Sequence, residues 1–293
     1  MWSDRLPIVP LPTLGGKQFW ADVFARGDWR IQESTITGHF RLLGPGDVRH
    51  ASGAYAHCRS RFDRLTEGLT HPGEHLVVCL HGFGRTKETW RPMMRALNAT
   101  GAHAIALNYP SSRRALEAHA DQIERVLADP PPEARRVSFV THSMGGLVAR
   151  VLLGRADAPW RERLTPHRLV MIATPNRGAD IVPVLERLPG FGMAGPAIAQ
   201  LHPERIDRYV PLPTIPFATI AGARGDPRGW NPLLTGDDDW TVTLQSVALD
   251  GAEDALVVPY LHTFMPANPA VIAAVLRYLD TGRLLDPGET TAG

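Results

Sequence analysis

The sequence predicts an α/β fold, with a mostly parallel central sheet flanked by helices. Two observations carry that reading. From residue 75 onward, short apolar runs of strand length alternate with helix-length segments, the order that builds βαβ units. The chain has 293 residues, 44% of them hydrophobic and 21% charged, the size and composition of one large soluble α/β domain or two small ones.

Residues 76–80 form the first apolar strand, ending in His81-Gly82-Phe83-Gly84, and 88–99 are helix-like. Residues 102–107 are a second strand, running into Asn108-Tyr109-Pro110. Residues 115–128 read as a helix with Leu116, Ile123, Val126 and Leu127 on its apolar side, stopped by Pro130-Pro131-Pro132. Residues 136–140 are a strand that meets the helix-like run 147–153 through Thr141-His142-Ser143-Met144-Gly145-Gly146. Strands follow at 168–173 and 215–221, then a long polar loop to Asp239, a short extended piece at 242–249, a last strand at 256–258 and a last helix at 269–279.

Residues 179–213 interrupt the alternation. The segment has helix-like pieces at 181–188 and 197–201 and an apolar run at 191–199, and it is too long for an ordinary connection in such a sheet, so it reads as a small helical lid. Residues 1–70 read as an N-terminal extension packed on the core and framing the entrance, ahead of a main domain at 71–293. Within the extension, Trp20, Phe24, Trp29 and Ile31 are apolar anchors and 35–37 suit a strand. Residues 51–65 suit a helix with Tyr55, Cys58, Phe62 and Leu65 on one face.

Composition excludes several classes. A net charge of +1 favours neither nucleic acid nor an acidic membrane surface. Two cysteines, Cys58 and Cys79, make neither a disulfide framework nor a zinc site, and Cys79 lies in an apolar strand. The glycine turn at 81–84 lacks the spacing of a phosphate loop, and there is no His-Glu-x-x-His pattern, so no cofactor and no metal are expected. Residues 1–14 lack the basic region and apolar core of a signal peptide, and no stretch has the length of a membrane span; the expectation is a cytoplasmic protein.

The chemistry concentrates at Ser143. A serine among small residues at a strand-to-helix junction fits a nucleophile elbow, with the first glycine of G-x-S-x-G replaced by Thr141. A serine hydroxyl needs a base, and the base needs a carboxylate to hold its tautomer. His262 follows the last strand directly, the only one of twelve histidines so placed. The acid falls in Asp237-Asp238-Asp239, before that strand; Asp239 is favoured because Asp-x-x-Val lets it sit at the sheet edge while Val242 turns inward, with Asp237 and Asp226 as rivals. The amides of Met144 and Phe83 are placed to donate to an oxyanion.

With these motifs in hand, the sequence resembles the α/β-hydrolase superfamily, and within it serine esterases and lipases with an H-G-F turn and an H-S-M-G-G elbow. Ala173-Thr174-Pro175-Asn176-Arg177-Gly178 is similar to the branch that includes GPI inositol-deacylases. The resemblance covers roughly residues 75–280 and implies a Ser143–Asp239–His262 triad, an oxyanion hole from Phe83 and Met144, and hydrolysis of a small hydrophobic ester or lipid through an acyl-enzyme. Where that branch has Asp-Gly-x-Val, this chain has Trp240 in place of the glycine, which sets a large aromatic beside the site as a substrate contact. The same constellation serves a thioesterase, an amidase or an acyltransferase, and a binding protein can keep the fold without turnover.

Overall fold

The computed structural model describes residues 17–68, 73–191, 195–286 and 288. The expectation for residues 1–14 lies outside them, as does the middle of the apolar run 191–199. A 3-10 turn, Lys17–Phe19, leads into four antiparallel strands paired in chain order: β1 (Trp20–Arg26), β2 (Trp29–Ser34), β3 (Phe40–Leu43) and β4 (Arg49–Gly53). Helix α1 (Tyr55–Leu65) then packs Cys58 and Phe62 against Val23, Phe24, Ile31 and Leu42.

This meander corrects the sequence reading twice. Residues 35–37, expected as a strand, are a turn: Ser34 Oγ accepts from the Thr37 N–H at 3.2 Å, the Gly38 N–H returns to the Ser34 carbonyl, and Ile36 is exposed. The helix expected from residue 51 begins at Tyr55, because Ala51, Ser52 and Gly53 pair with β3.

A buried polar chain docks the meander on the rest of the molecule. Asp22 is fully buried; its carboxylate accepts from Gln32 Nε2 (2.6 Å), Arg30 (3.2 Å) and the Asn108 N–H (2.7 Å), while its own N–H donates to the Asn108 carbonyl. Gln122 Nε2 donates to the carbonyls of both Asp22 and Asn108, and Arg41 donates twice to Gln32 Oε1. Most buried polar atoms here have a hydrogen-bond counterpart, the condition under which such burial is tolerated; among the described residues Gln122 Oε1 and Arg30 Nε have none, and Arg30 Nε lies 3.7 Å from Asp47.

The main sheet follows as β5 (His75–Leu80), α2 (Arg91–Ala99), β6 (His103–Leu107), α3 (Leu116–Leu127), β7 (Arg136–His142), α4 (Met144–Leu153) and β8 (Thr165–Ile172). Two short helices, α5 (Val182–Leu185) and α6 (Pro196–Gln200), precede β9 (Phe217–Gly222); α7 (Leu244–Val247) precedes β10 (Asp254–Val258), and α8 (Pro269–Thr281) closes the fold. The six strands are all parallel, in the order β6-β5-β7-β8-β9-β10. The twofold period of β5 divides the core: Leu76, Val78 and Leu80 join α3 and α4 on one face, while Val77 and Cys79 join α2 and α8 on the other. Residues 242–249, expected to be extended, hold α7 instead, because Thr243 Oγ1 caps the helix by accepting from the Ser246 N–H.

In the segment 179–213, Val182, Ala197, Leu201 and Ile206 are buried against the core on the α3–α4 face, and the Ala179 N–H donates to the Leu201 carbonyl at 2.7 Å. Among the described residues, no helix is long and apolar enough to cross a membrane.

Candidate active site

Ser143 lies between β7 and α4 with φ 54° and ψ −130°, a conformation a non-glycine residue rarely adopts and one that costs about 1–3 kcal/mol. Close packing holds it there. A Cβ on Gly82 would stand 2.9 Å from Ser143 Cβ, and Cβ atoms on Gly145 and Gly146 would run into the Leu80 carbonyl and the Thr174 side chain. Glycine is therefore required where the turn after β5 meets the elbow. Thr141, the residue in place of the usual first glycine, is fully buried and satisfied, its hydroxyl donating to the Val170 carbonyl at 3.0 Å.

Asp239 and His262 meet directly. Asp239 Oδ2 lies 2.7 Å from His262 Nδ1, and the His262 N–H donates to the Asp239 carbonyl at 2.9 Å. The other carboxylate oxygen accepts from the N–H groups of Thr241 (3.0 Å) and Val242 (2.8 Å), so the carboxylate is fixed on both sides. Val242 is buried against Ala221. With Nδ1 donating to Asp239, Nε2 is the accepting nitrogen of His262. The neighbouring carboxylates are engaged elsewhere: Asp237 accepts from the Arg224 and Gly225 N–H groups, Asp238 from Asn231 and Trp240, and Asp226 pairs with Arg228 in an exposed turn.

His142, next to Ser143, links the elbow to this pair. Its Nε2 donates to the His262 carbonyl at 3.0 Å, and the two rings are 4.6 Å apart. Burial, reinforced by His262, holds the His142 imidazole well below the usual histidine range, so it stays neutral.

The turn after β5 packs against Ser143 and the first turn of α4, and each of these two turns carries a backbone amide of interest. The Met144 N–H belongs to the first turn of α4 and has no acceptor within the helix. In the turn after β5, the Arg85 N–H donates to the Gly82 carbonyl and the Gly84 N–H to Ser111 Oγ, which leaves the Phe83 N–H without an acceptor among the described residues. Below them His81 is fully buried and stacked on Tyr109, ring centroids 4.1 Å apart; its Nδ1 donates to the Gly82 carbonyl, and the Tyr109 hydroxyl donates to the His81 carbonyl.

Trp240 follows Asp239 with its side chain 55% exposed and φ at 85°. The Trp240 N–H donates to Asp238 Oδ1 and its carbonyl accepts from Asn231 Nδ2. The position that carries glycine in the motif quoted above is thus one whose backbone suits glycine.

The family model described as the alpha/beta hydrolase family matches residues 77–289. The chain belongs to that family. No curated protein matches this hydrolase. Its fold is similar to the mature Bacillus licheniformis lipase BlEst2, at TM-score 0.57 and 16% identity over 72% of this chain and 94% of that one. It is also similar to the metagenomic carboxyl esterase MGS0156, at TM-score 0.52 and 17% identity over 73% and 78%. A third likeness is the Legionella pneumophila phospholipase PlaB, at TM-score 0.52 and 15% identity over 71% and 60%.

Several residues that shape the site carry little or no signal in the sequence. Gly222, at the end of β9, is one: a Cβ there would stand 2.7 Å from Asp239 Cβ and run into the Tyr260 carbonyl. Arg150 is another. It is buried in α4 and donates to Asn176 and to the carbonyls of Val210 and Pro211, while Asn176 Nδ2 reaches the Val247 carbonyl. In this hydrolase, therefore, Arg150 ties α4 to segment 179–213 directly and to α7 through Asn176 of the 173–178 motif. An arginine inside an otherwise apolar helix is the only mark of that tie in the sequence.

Proposed function

We propose that this hydrolase is a serine esterase of the lipase type, cleaving carboxylic esters through an acyl-enzyme. The observation that carries the reading is the Asp239–His262 hydrogen bond of 2.7 Å, set beside the strained Ser143 through His142. His262 Nε2 takes the proton as Ser143 Oγ attacks the ester carbonyl. Asp239 holds the tautomer and stabilises the imidazolium, and the proton then passes to the leaving alkoxide. The Met144 and Phe83 N–H groups stabilise the oxyanion, a contribution of about 10²–10³ in rate for each such donor. Water repeats the sequence on the acyl-enzyme. None of these steps calls for a metal or a cofactor.

The acyl group is read as hydrophobic. Exposed Trp240 and Phe264, one residue beyond Asp239 and two beyond His262, favour an apolar substrate beside the site, as does a lid at 179–213. The 173–178 motif leaves a GPI-deacylase-like substrate as a finer version of the same reading. Replacing Ser143 with Ala is expected to abolish turnover of p-nitrophenyl butyrate while leaving the urea unfolding curve unchanged. A fluorophosphonate should label the unmodified protein at Ser143 alone. Turnover retained in the variant refutes the assignment.

A further inference from the structure

The turn at 82–85 is not held by the hydrolase core alone. Gln18, from the 3-10 turn ahead of β1, reaches it from outside: its Nε2 donates to the Arg85 carbonyl at 2.9 Å. Its Oε1 accepts from Ser111 Oγ (3.3 Å), the Ser112 N–H (3.3 Å) and Ser112 Oγ (3.2 Å). Ser111, fully buried, in turn accepts from the Gly84 N–H at 2.9 Å. The central peptide of the turn and its exit carbonyl are thus pinned from the same side chain, one directly and one through a serine.

The pinning matters because of the turn's geometry. The Arg85 N–H closes it on the Gly82 carbonyl at 3.2 Å, with Phe83 and Gly84 in the middle and Gly84 at φ 67°. Glycine imposes almost no preference of its own, so the Phe83–Gly84 peptide is free to rotate unless its N–H is held. Rotation of that peptide changes ψ of Phe83 and φ of Gly84, and a turn free to do so no longer holds the adjoining Gly82–Phe83 peptide, which carries the Phe83 N–H, at one angle.

We propose that Gln18 is a positioning residue, which with Ser111 fixes the 82–85 turn so that the Phe83 N–H aims at the oxyanion. This rests on the esterase reading above and extends it: the segment before β1 contributes to the site without touching substrate. Arg85 carries the coupling further, since its guanidinium donates to Thr263 Oγ1 at 2.7 Å, beside His262.

The test is kinetic. Gln18→Met keeps the volume and removes all four of its side-chain hydrogen bonds; Ser111→Ala removes the acceptor for Gly84. Each is expected to lower kcat for p-nitrophenyl butyrate about tenfold with KM changed less than twofold, because the oxyanion exists only in the transition state. Affinity for an alkylboronic acid, which forms a tetrahedral adduct on the serine, should weaken in parallel. The double variant should be no worse than the poorer single one, since both act through one turn. A kcat within twofold of the unmodified enzyme in Gln18→Met overturns the proposal, as does a double variant whose losses multiply, or a loss confined to thermal stability. An unmodified protein that hydrolyses no ester and resists the fluorophosphonate overturns the esterase reading and the proposal together. An active enzyme with an unaffected Gln18→Met overturns the proposal alone.

Discussion

Asp239 and His262 are joined twice, side chain to side chain at 2.7 Å and backbone to backbone at 2.9 Å. The double tie sets the orientation of the imidazole as well as its distance. Asp239→Asn keeps the shape and offers an amide to Nδ1, favouring the wrong tautomer. The expected result is a fall in kcat of about 10³-fold or more. Asp237→Asn, whose native carboxylate serves the Arg224 and Gly225 amides instead, is expected to stay within about threefold. Steady-state kinetics on p-nitrophenyl butyrate separates the two, and equal losses refute the assignment of the acid.

Gly222 sets how closely Asp239 can approach the end of β9. Gly222→Ala puts a methyl 2.7 Å from Asp239 Cβ and against a backbone carbonyl that cannot move aside cheaply. Stability is expected to drop by about 1–3 kcal/mol in urea unfolding. The same shift should lower kcat by at least tenfold, because the carboxylate moves relative to His262. A stable, fully active Gly222→Ala would show that the acid has room to spare.

Trp240 makes the opposite kind of prediction. Its φ of 85° costs energy that glycine would not pay, and its side chain is mostly exposed. Trp240→Gly is expected to stabilise the fold by up to about 1 kcal/mol, an upward shift in the urea midpoint. The proposed substrate contact would at the same time raise KM for longer acyl esters. Unchanged KM across a chain-length series removes Trp240 from the substrate site.

Acid should destabilise the protein from pH 6.5 downwards. Burial pushes the His81 imidazole down to about 4, against 6.5 for an exposed histidine, and the Gly82 carbonyl only partly opposes that. His75 is pushed down in the same direction, by burial first and then by Arg136. Below pH 6.5 the unfolded chain binds a proton at His81 that the folded chain refuses until about pH 4. The stability from His81 is therefore whole above pH 6.5 and is lost as pH falls towards 4, about 3 kcal/mol in all. Urea midpoints between pH 7.5 and 4.5 should fall steeply, and His81→Gln should flatten the slope. A flat profile in the native protein contradicts the buried neutral state.

The parallel sheet was legible because its strands are buried on both faces and read as unbroken apolar runs, from Leu76 to Leu80 and from Leu169 to Ile172. Ser143 and His262 were legible as positions, one at a strand-to-helix junction and one after the last strand. The meander was not. Asp22, Arg30, Gln32 and Arg41 occupy buried positions where a strand pattern calls for apolar residues, and a bulge between Asp22 and Phe24 breaks the alternation as well. Thr35-Ile36-Thr37 suits a strand by propensity, yet Ser34 and Gly38 turn the chain there. Gln18 and Gly222 act through tertiary contacts with residues far away in the sequence, so no local pattern marks them.

The Asp22 clasp bears on where this protein can be cut. A chain begun after residue 70 would contain the whole parallel sheet, the elbow and His262, and on paper would be a minimal catalytic unit. It would also leave the Asn108 N–H and the Gln122 amide without the oxygen atoms of Asp22, in a part of the molecule built to exclude water. The end of β6 and the adjoining face of α3 would lose their cover. Expression of residues 71–293 alone should therefore give a poorly folded, aggregation-prone product, and screens for a trimmed enzyme should spare the first four strands.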